Sequence, residues 1–208
     1  MSDLSRVSEQ EDPPLIKNIT GVVLAGGKSV RFGSNKALEK INGIPLIERI
    51  IKVFQPLFQQ LILITNTPDE YAYLGLPMHK DLIEGLGPIG GIFSGLNEIS
   101  NDAGFFVACD MPYLNSGLIR YMVQRKDAFD VVIPRISWKI ETLHAIYSKR
   151  CLNAVKRSID SQEYRVRKFF SQVSVRYIEE NEIIPLDPEL MSFFNVNSPQ
   201  ELRRFYNR

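Results

Sequence analysis

Four short, largely apolar runs, at 19–25, 61–65, 105–108 and 131–134, alternate with longer stretches whose apolar residues recur at helical spacing. No other feature constrains the fold as strongly. A run that is apolar on both faces reads as a strand buried on both sides. Such strands, joined through helices, call for a mainly parallel sheet covered on both faces with right-handed crossovers. Helices are expected at 45–54, where Leu46, Ile47, Ile50, Ile51 and Phe54 make one stripe, and at 89–99 and 116–124. The expected fold class is α/β, a three-layer α/β/α arrangement.

The last third is less regular. It reads as a strand at 143–147, helices at 150–159 and 165–171, and a strand at 173–178. A final helix is expected from Ser198, with Ser198 as N-cap, Pro199 at the first helical position and Glu201 at the third. Residues 1–18 are polar and acidic with the pair Pro13-Pro14, so a flexible tail is expected there and a single domain over 19–208.

A chain of 208 residues with 44% hydrophobic and 24% charged residues is of the soluble globular class and can bury a core without staples. Its two cysteines, Cys109 and Cys151, lack the spacing of a zinc or redox site. No run approaches the roughly 20 apolar residues of a membrane helix, and the N-terminus lacks a signal-peptide core. A cytoplasmic location with no membrane partner is expected. A formal net charge of +1 carries no bulk attraction to phosphate polymers, so nucleic acid is not an expected partner.

The richest chemistry lies just after the first apolar run. Residues 21–36 carry a strand straight into a loop with three glycines, Gly26, Gly27 and Gly33, and three cations, Lys28, Arg31 and Lys36. Glycines let backbone N–H groups approach an anion, and the cations neutralise it, so a phosphate cradle is the natural reading over a solvated turn. Two familiar motifs fail. Gly27-Lys28-Ser29 imitates the end of a Walker loop, but Val22 stands where that pattern needs glycine. The run from Gly85 to Gly90 fits GxGxxG formally, but Pro88 interrupts it and 80–84 is a poor buried strand. Asp110 follows the run 105–108, at the carboxyl end of a central strand where open α/β sheets place their sites; it can hold Mg²⁺ together with substrate phosphates, or act as a turn residue.

Taken together these segments resemble the molybdenum cofactor guanylyltransferases of the MobA family, within the glycine-rich-loop nucleotidyltransferases. Residues 24–36 match the pattern LAGGxSxRFGxxK at every specified position; Gly43-Ile44-Pro45-Leu46, Asp81 with 87–92, Cys109-Asp110-Met111-Pro112 and 195–199 follow in the same order. The resemblance, which spans roughly residues 19 to 205, implies a Rossmann-like sheet of the nucleotidyltransferase type. It further implies transfer of GMP from GTP to the terminal phosphate of molybdopterin (Mo-molybdopterin), releasing pyrophosphate, with Mg²⁺ as cofactor and cofactor-delivering or cofactor-receiving proteins as further partners. A cytidylyltransferase for molybdopterin, a sugar-phosphate nucleotidyltransferase and a non-catalytic nucleotide-binding protein are the alternatives. Ala25-Gly26-Gly27 resembles the guanylyl-type loop, whereas the cytidylyl relatives carry two alanines before a single glycine.

By this resemblance Leu24, Ala25, Gly26, Gly27, Lys36, Asn66, Asp81, Gly87 and Asp110 bind the nucleotide. Lys36, Arg31 and Asp110 are the candidate catalytic residues, because charge accumulates on the phosphoryl oxygens and the departing pyrophosphate. Asn195 and Asn197 either reach the phosphates or shape a turn. Arg165, Arg167 and Lys168 either bind the phosphate of the pterin substrate or form a solvated helix face. Glu141 and His144 lie on or beside a strand; His144 is either structural or substrate-facing and is assigned no acid-base role. Cys109 is expected to pack rather than attack.

Overall fold

The computed structural model describes residues 14–26 and 35–196. Among the described residues lie ten strands: β1 (Thr20–Leu24), β2 (Lys40–Ile41), β3 (Ile44–Pro45), β4 (Leu61–Ile64), β5 (Met78–His79), β6 (Ala103–Ala108), β7 (Val131–Ile136), β8 (Lys139–Ile140), β9 (His144–Ser148) and β10 (Val175–Glu179). The helices are α1 (Leu46–Phe54), α2 (Pro88–Glu98), α3 (Ser116–Val123), α4 (Leu152–Asp160) and α5 (Glu180–Ile183). The main sheet runs β10-β7-β9-β6-β1-β4-β5, with β8 paired to β7; β2 and β3 form a separate hairpin. Pairings β5 to β4, β4 to β1, β1 to β6 and β7 to β10 are parallel, whereas β9 is antiparallel to both β6 and β7. The sheet is therefore mostly parallel, as the apolar runs require.

Side chains alternate between two cores. Val23, Leu63, Phe105, Val107 and Val132 face α1 and α3, burying Ile47, Ile50, Phe54, Leu118 and Met122. Val22, Leu24, Ile64, Phe106 and Val131 face the other way, onto Ile89, Ile92 and Leu96 of α2 and Val155 of α4. Each strand is apolar on both faces because helices cover both. Small residues set the closest approaches: a Cβ on Gly95 of α2 would lie 2.5 Å from Phe106 Cε1.

Two expectations need correction. The segment at 165–171 is not an α-helix; Val166–Gln172 is a 3-10 helix that buries Val166, Phe169 and Phe170. Its apolar spacing follows the need to cover the sheet rather than an α repeat. The strand expected at 173–178 begins two residues later, because Val173 serves as C-cap of that 3-10 helix. The final helix expected from Ser198 and the tail residues 1–13 lie outside the described residues.

Candidate active site

Strand register brings the predicted residues to one edge. Leu24 pairs with Ile64 and with Ala108, and Ile64 pairs with His79. Two residues beyond each of these, on the carboxyl side, stand Gly26, Asn66, Asp81 and Asp110. Four positions separated widely in sequence thus share one level across β1, β4, β5 and β6, the edge at which open α/β sheets bind ligands.

Asp110 is held from three directions. Cys109 N–H donates to Leu24 O at 3.1 Å, Met111 N–H turns back to Ala108 O at 3.3 Å, and Val196 N–H donates to Asp110 O at 3.0 Å. The carboxylate accepts from Lys36 Nζ at 2.8 Å through Oδ2. Its other oxygen, Oδ1, is buried and has no hydrogen-bond partner among the described residues. A buried polar atom left without a partner is costly, so a carboxylate oxygen kept in this state is a prepared acceptor. Burial, with the charge of Asp110 adding to it, pushes the Cys109 thiol up to about 12; that side chain is protonated at neutral pH and suits packing rather than attack.

Lys36 opens a 3-10 turn whose N-cap is Asn35, with Asn35 Oδ1 accepting from Ala37 N–H at 3.1 Å. Asn35 is fixed in turn by Tyr71, whose hydroxyl donates to Oδ1 at 3.0 Å, and by Glu70 Oε2, which accepts from Nδ2 at 2.5 Å. Asn35, Glu70 and Tyr71 were not singled out in the sequence. An asparagine directly before a short helix was the one available signal, that of an N-cap.

Asn66 and Asp81 form a two-bond clip: Asn66 Nδ2 donates to Asp81 Oδ2, and Asp81 N–H donates to Asn66 Oδ1, both at 3.0 Å. Asp81 Oδ1 is buried without a partner, as is Oδ1 of Asp110. The following loop is tied down where Leu82 N–H donates to Ser94 Oγ at 2.9 Å. Gly87, with φ +64°, caps α2 in a backbone conformation that L side chains rarely adopt. Gly91 instead serves packing, since a Cβ there would meet Leu24 Cδ1 at 3.1 Å.

The C-terminal segment reaches the site through Asn115 and Asp187. Asn115 N–H donates to Ser192 Oγ, and Asp187 accepts from Met191 and Ser192 N–H. Val196 is then fully buried beside Ile41 and Leu46, leaving Asn195 next to the Asp110 backbone. Gly27, Arg31 and Asn197 lie outside the described residues. Arg165 and Lys168 are exposed and pair with Glu163 at 3.5 and 3.7 Å, and neither they nor Arg167 are joined to Asp110 by a hydrogen bond or ion pair. His144 is buried between the rings of Phe105 and Phe193, at centroid distances of 5.2 and 5.1 Å, and serves the core.

The fit of Mg²⁺ to this edge can be judged from Asp110. Oδ1 is a hard oxygen donor, buried and unpartnered, while Oδ2 is neutralised by Lys36, which suits a cation completed by substrate phosphates and water. Among the described residues no group of three or more His, Cys, Asp or Glu side chains gathers to hold a metal by itself.

This sheet order, with an ammonium and a carboxylate meeting at its carboxyl edge, is that of a nucleotidyltransferase. Residues 21–177 match the family model described as a MobA-like NTP transferase domain, and the chain belongs to that family. A probable molybdenum cofactor guanylyltransferase of Natranaerobius thermophilus is 34% identical over 193 residues, covering 90% of this chain and 94% of that protein. A molybdenum cofactor guanylyltransferase of Desulfosudis oleivorans is 32% identical over 188 residues, covering 89% and 93%. Among solved structures, molybdopterin-guanine dinucleotide biosynthesis protein A of Archaeoglobus fulgidus superposes with a TM-score of 0.79 at 25% identity, covering 91% of this chain and 97% of that one.

Proposed function

We propose that this protein is a molybdenum cofactor guanylyltransferase, a single nucleotidyltransferase domain over 19–208 that transfers GMP from GTP to molybdopterin (Mo-molybdopterin) with Mg²⁺. The observation that carries the reading is the Lys36–Asp110 pair at 2.8 Å with Asp110 Oδ1 left buried and unpartnered. The names of the relatives support the choice of nucleotide and acceptor.

The reaction is an in-line displacement. A phosphate oxygen of the acceptor forms a bond to the α-phosphorus of GTP while the bond from that phosphorus to the β-bridging oxygen breaks, and pyrophosphate leaves with the electron pair. A phosphate monoester with a second pKa of about 6 is already mostly dianionic at neutral pH, so positioning matters more than deprotonation. Lys36 and Arg31 neutralise the triphosphate as charge moves onto the leaving oxygens. Leu24, Ala25, Gly26, Gly27, Asn66, Asp81 and Gly87 hold the nucleotide along the edge. Asp110 Oδ1 is the protein ligand for Mg²⁺, which when bound supplies Lewis-acid stabilisation of the phosphoryl oxygens. Asn195 and Asn197 border the phosphates, and Arg165, Arg167 and Lys168 attract the anionic acceptor.

Among the described residues no helix is long and apolar enough to cross a membrane; a cytoplasmic location, with carrier or recipient proteins for the cofactor, belongs to the proposal. The test is pyrophosphate release from Mg-GTP and molybdopterin, with CTP as competitor. Release that depends on both substrates and resists CTP is expected. No release from GTP, or preferential use of CTP, overturns the reading.

A further inference from the structure

The chain has one tryptophan, Trp138, and its side chain stands 92% exposed. A single exposed apolar residue is ordinary on a protein surface; its support and its location set this one apart. Trp138 lies in the two-residue connection between β7 and β8, where Ile136 pairs with Lys139 and Ser137 takes φ +54°. The hairpin beneath it is braced. Ser137 donates from its N–H and its hydroxyl to Glu180 Oε2 at 2.9 and 3.2 Å. Arg135 donates twice to the Glu179 carboxylate and stacks on the Tyr177 ring at 4.4 Å. An aromatic side chain on a braced turn is a preorganised contact, because little backbone freedom remains to be lost on binding.

The strand register gives its location. Phe105 pairs with Ile146, which pairs with Val132, and β9 is antiparallel to both strands, so β6 and β7 run in the same direction. Ser137 therefore follows β7 at the same carboxyl edge that Asp110 occupies just after β6, with β9 between the two strands. Between them the floor is continuous, since Ala108 N–H donates to Leu143 O and Glu141 N–H to Pro134 O. Gly26, Asn66 and Asp81 occupy this edge on one side of Asp110, and the Trp138 hairpin rises on the other. An in-line displacement places the acceptor oxygen opposite the departing pyrophosphate; with the nucleotide residues on one side of Asp110, the side that carries Trp138 remains for the rest of the acceptor.

We propose that Trp138 is a specificity residue for the acceptor, its indole stacking on the flat fused-ring system of a substrate whose phosphate lies at Lys36 and Asp110. The inference rests on the function proposed above and assigns that acceptor a subsite. A planar heteroaromatic ring is the ligand chemistry an exposed indole matches best.

The test compares wild type, Trp138→Ala and Trp138→Phe in steady-state transfer from Mg-GTP to molybdopterin. Trp138→Ala is expected to raise the acceptor KM about tenfold, in line with loss of one ring-on-ring contact, without moving the GTP KM, and Trp138→Phe to restore most of the loss. A second readout is direct, because all tryptophan emission comes from this residue: molybdopterin should shield it from acrylamide quenching, and Mg-GTP alone should not. An unchanged acceptor KM in Trp138→Ala, or unchanged acrylamide access at saturating molybdopterin, overturns the inference. Failure of the underlying reading shows separately, as wild type that releases no pyrophosphate.

Discussion

Lys36 Nζ lies 2.8 Å from Asp110 Oδ2 although 74 residues separate them in the chain, and their side chains are only 15% and 22% exposed. Water screens such a pair less than one at the surface. Lys36 arrives on a capped 3-10 turn and Asp110 at the end of β6, so neither long-range placement depends on the other's charge.

From that geometry, Lys36→Ala and Asp110→Asn should each lower kcat roughly 100-fold or more, the scale of losing one preorganised group that stabilises developing charge. The double variant should cost far less than the product of the two, because the pair acts as a unit. Steady-state kinetics on folded variants decide it; fully multiplicative losses would show that the two groups act independently.

The Asn66–Asp81 clip should govern nucleotide affinity rather than turnover. Asn66→Ala removes one bond to a carboxylate and one to a backbone N–H, together aligning the Asp81 side chain. With a hydrogen bond to a charged group worth about 1.5–3 kcal/mol, the GTP KM should rise about tenfold or more while kcat at saturation stays near wild type. Equilibrium binding of GTP measures the same loss without turnover, and unchanged affinity would contradict the role.

His144 makes stability depend on acid. Burial pushes it down to about 3, partly opposed by the charge of Asp187, and neither ring nitrogen has a hydrogen-bond partner. The native state keeps the ring neutral where the unfolded chain, titrating near 6.5, takes up a proton. Stability contributed by neutral His144 is thus complete above about pH 6.5 and falls by about 1.4 kcal/mol per pH unit below it, until pH approaches 3. His144→Phe, which keeps the edge contacts to Phe105 and Phe193, should flatten this slope between pH 6 and pH 4 in urea titrations. An unchanged slope would mean that another group sets it.

Gly95→Ala tests how tightly α2 seats on the sheet. The added methyl would sit 2.5 Å from Phe106 Cε1 and 3.1 Å from Val22 Cγ1, both fully buried. Overpacking of this kind costs about 1–3 kcal/mol, which for a chain of this size lowers Tm by roughly 2–4 °C per kcal/mol. Phe106→Leu in the same background should recover part of the loss. A melting temperature equal to wild type would show that the helix shifts freely.

The strands and helices of the first two-thirds were legible because their signals are local. Residues apolar on both faces marked β1, β4, β6 and β7, and the stripe of Leu46, Ile47, Ile50, Ile51 and Phe54 marked α1. Short elements were not legible. β5 has two residues and exists only because Leu63 N–H and Thr65 N–H find the carbonyls of Pro77 and His79. The run at 165–171 carries helix-like spacing, but it forms a 3-10 helix, in which residues three apart eclipse, so that Val166 and Phe169 enter one core together.

For the site, the glycine loop, the strand end and the family resemblance singled out Lys36, Asn66, Asp81 and Asp110; the fold brings Asn66, Asp81 and Asp110 to one edge and Lys36 into contact with Asp110. Their bond partners were not readable. Asn35, Glu70 and Tyr71 position Lys36 through a network spanning 35 and 36 residues of sequence, with no motif to announce it. Nor could periodicity show that β9 runs against its neighbours, which is what leaves β6 and β7 parallel and ends both at one edge.

By itself the sequence determined which segments must be buried and which residues have chemistry to offer, because hydrophobic spacing, glycine content and charge are properties of a local stretch of chain. The tertiary structure alone decided that Asp110 shares its charge with Lys36 and keeps one oxygen unpartnered. It alone put Gly26, Asn66, Asp81 and Asp110 on one level and ended β7 at the same edge. Those relations come from strand order and hydrogen-bond register, and register is set by how two cores on opposite faces of one sheet fill together, a condition that no local pattern contains.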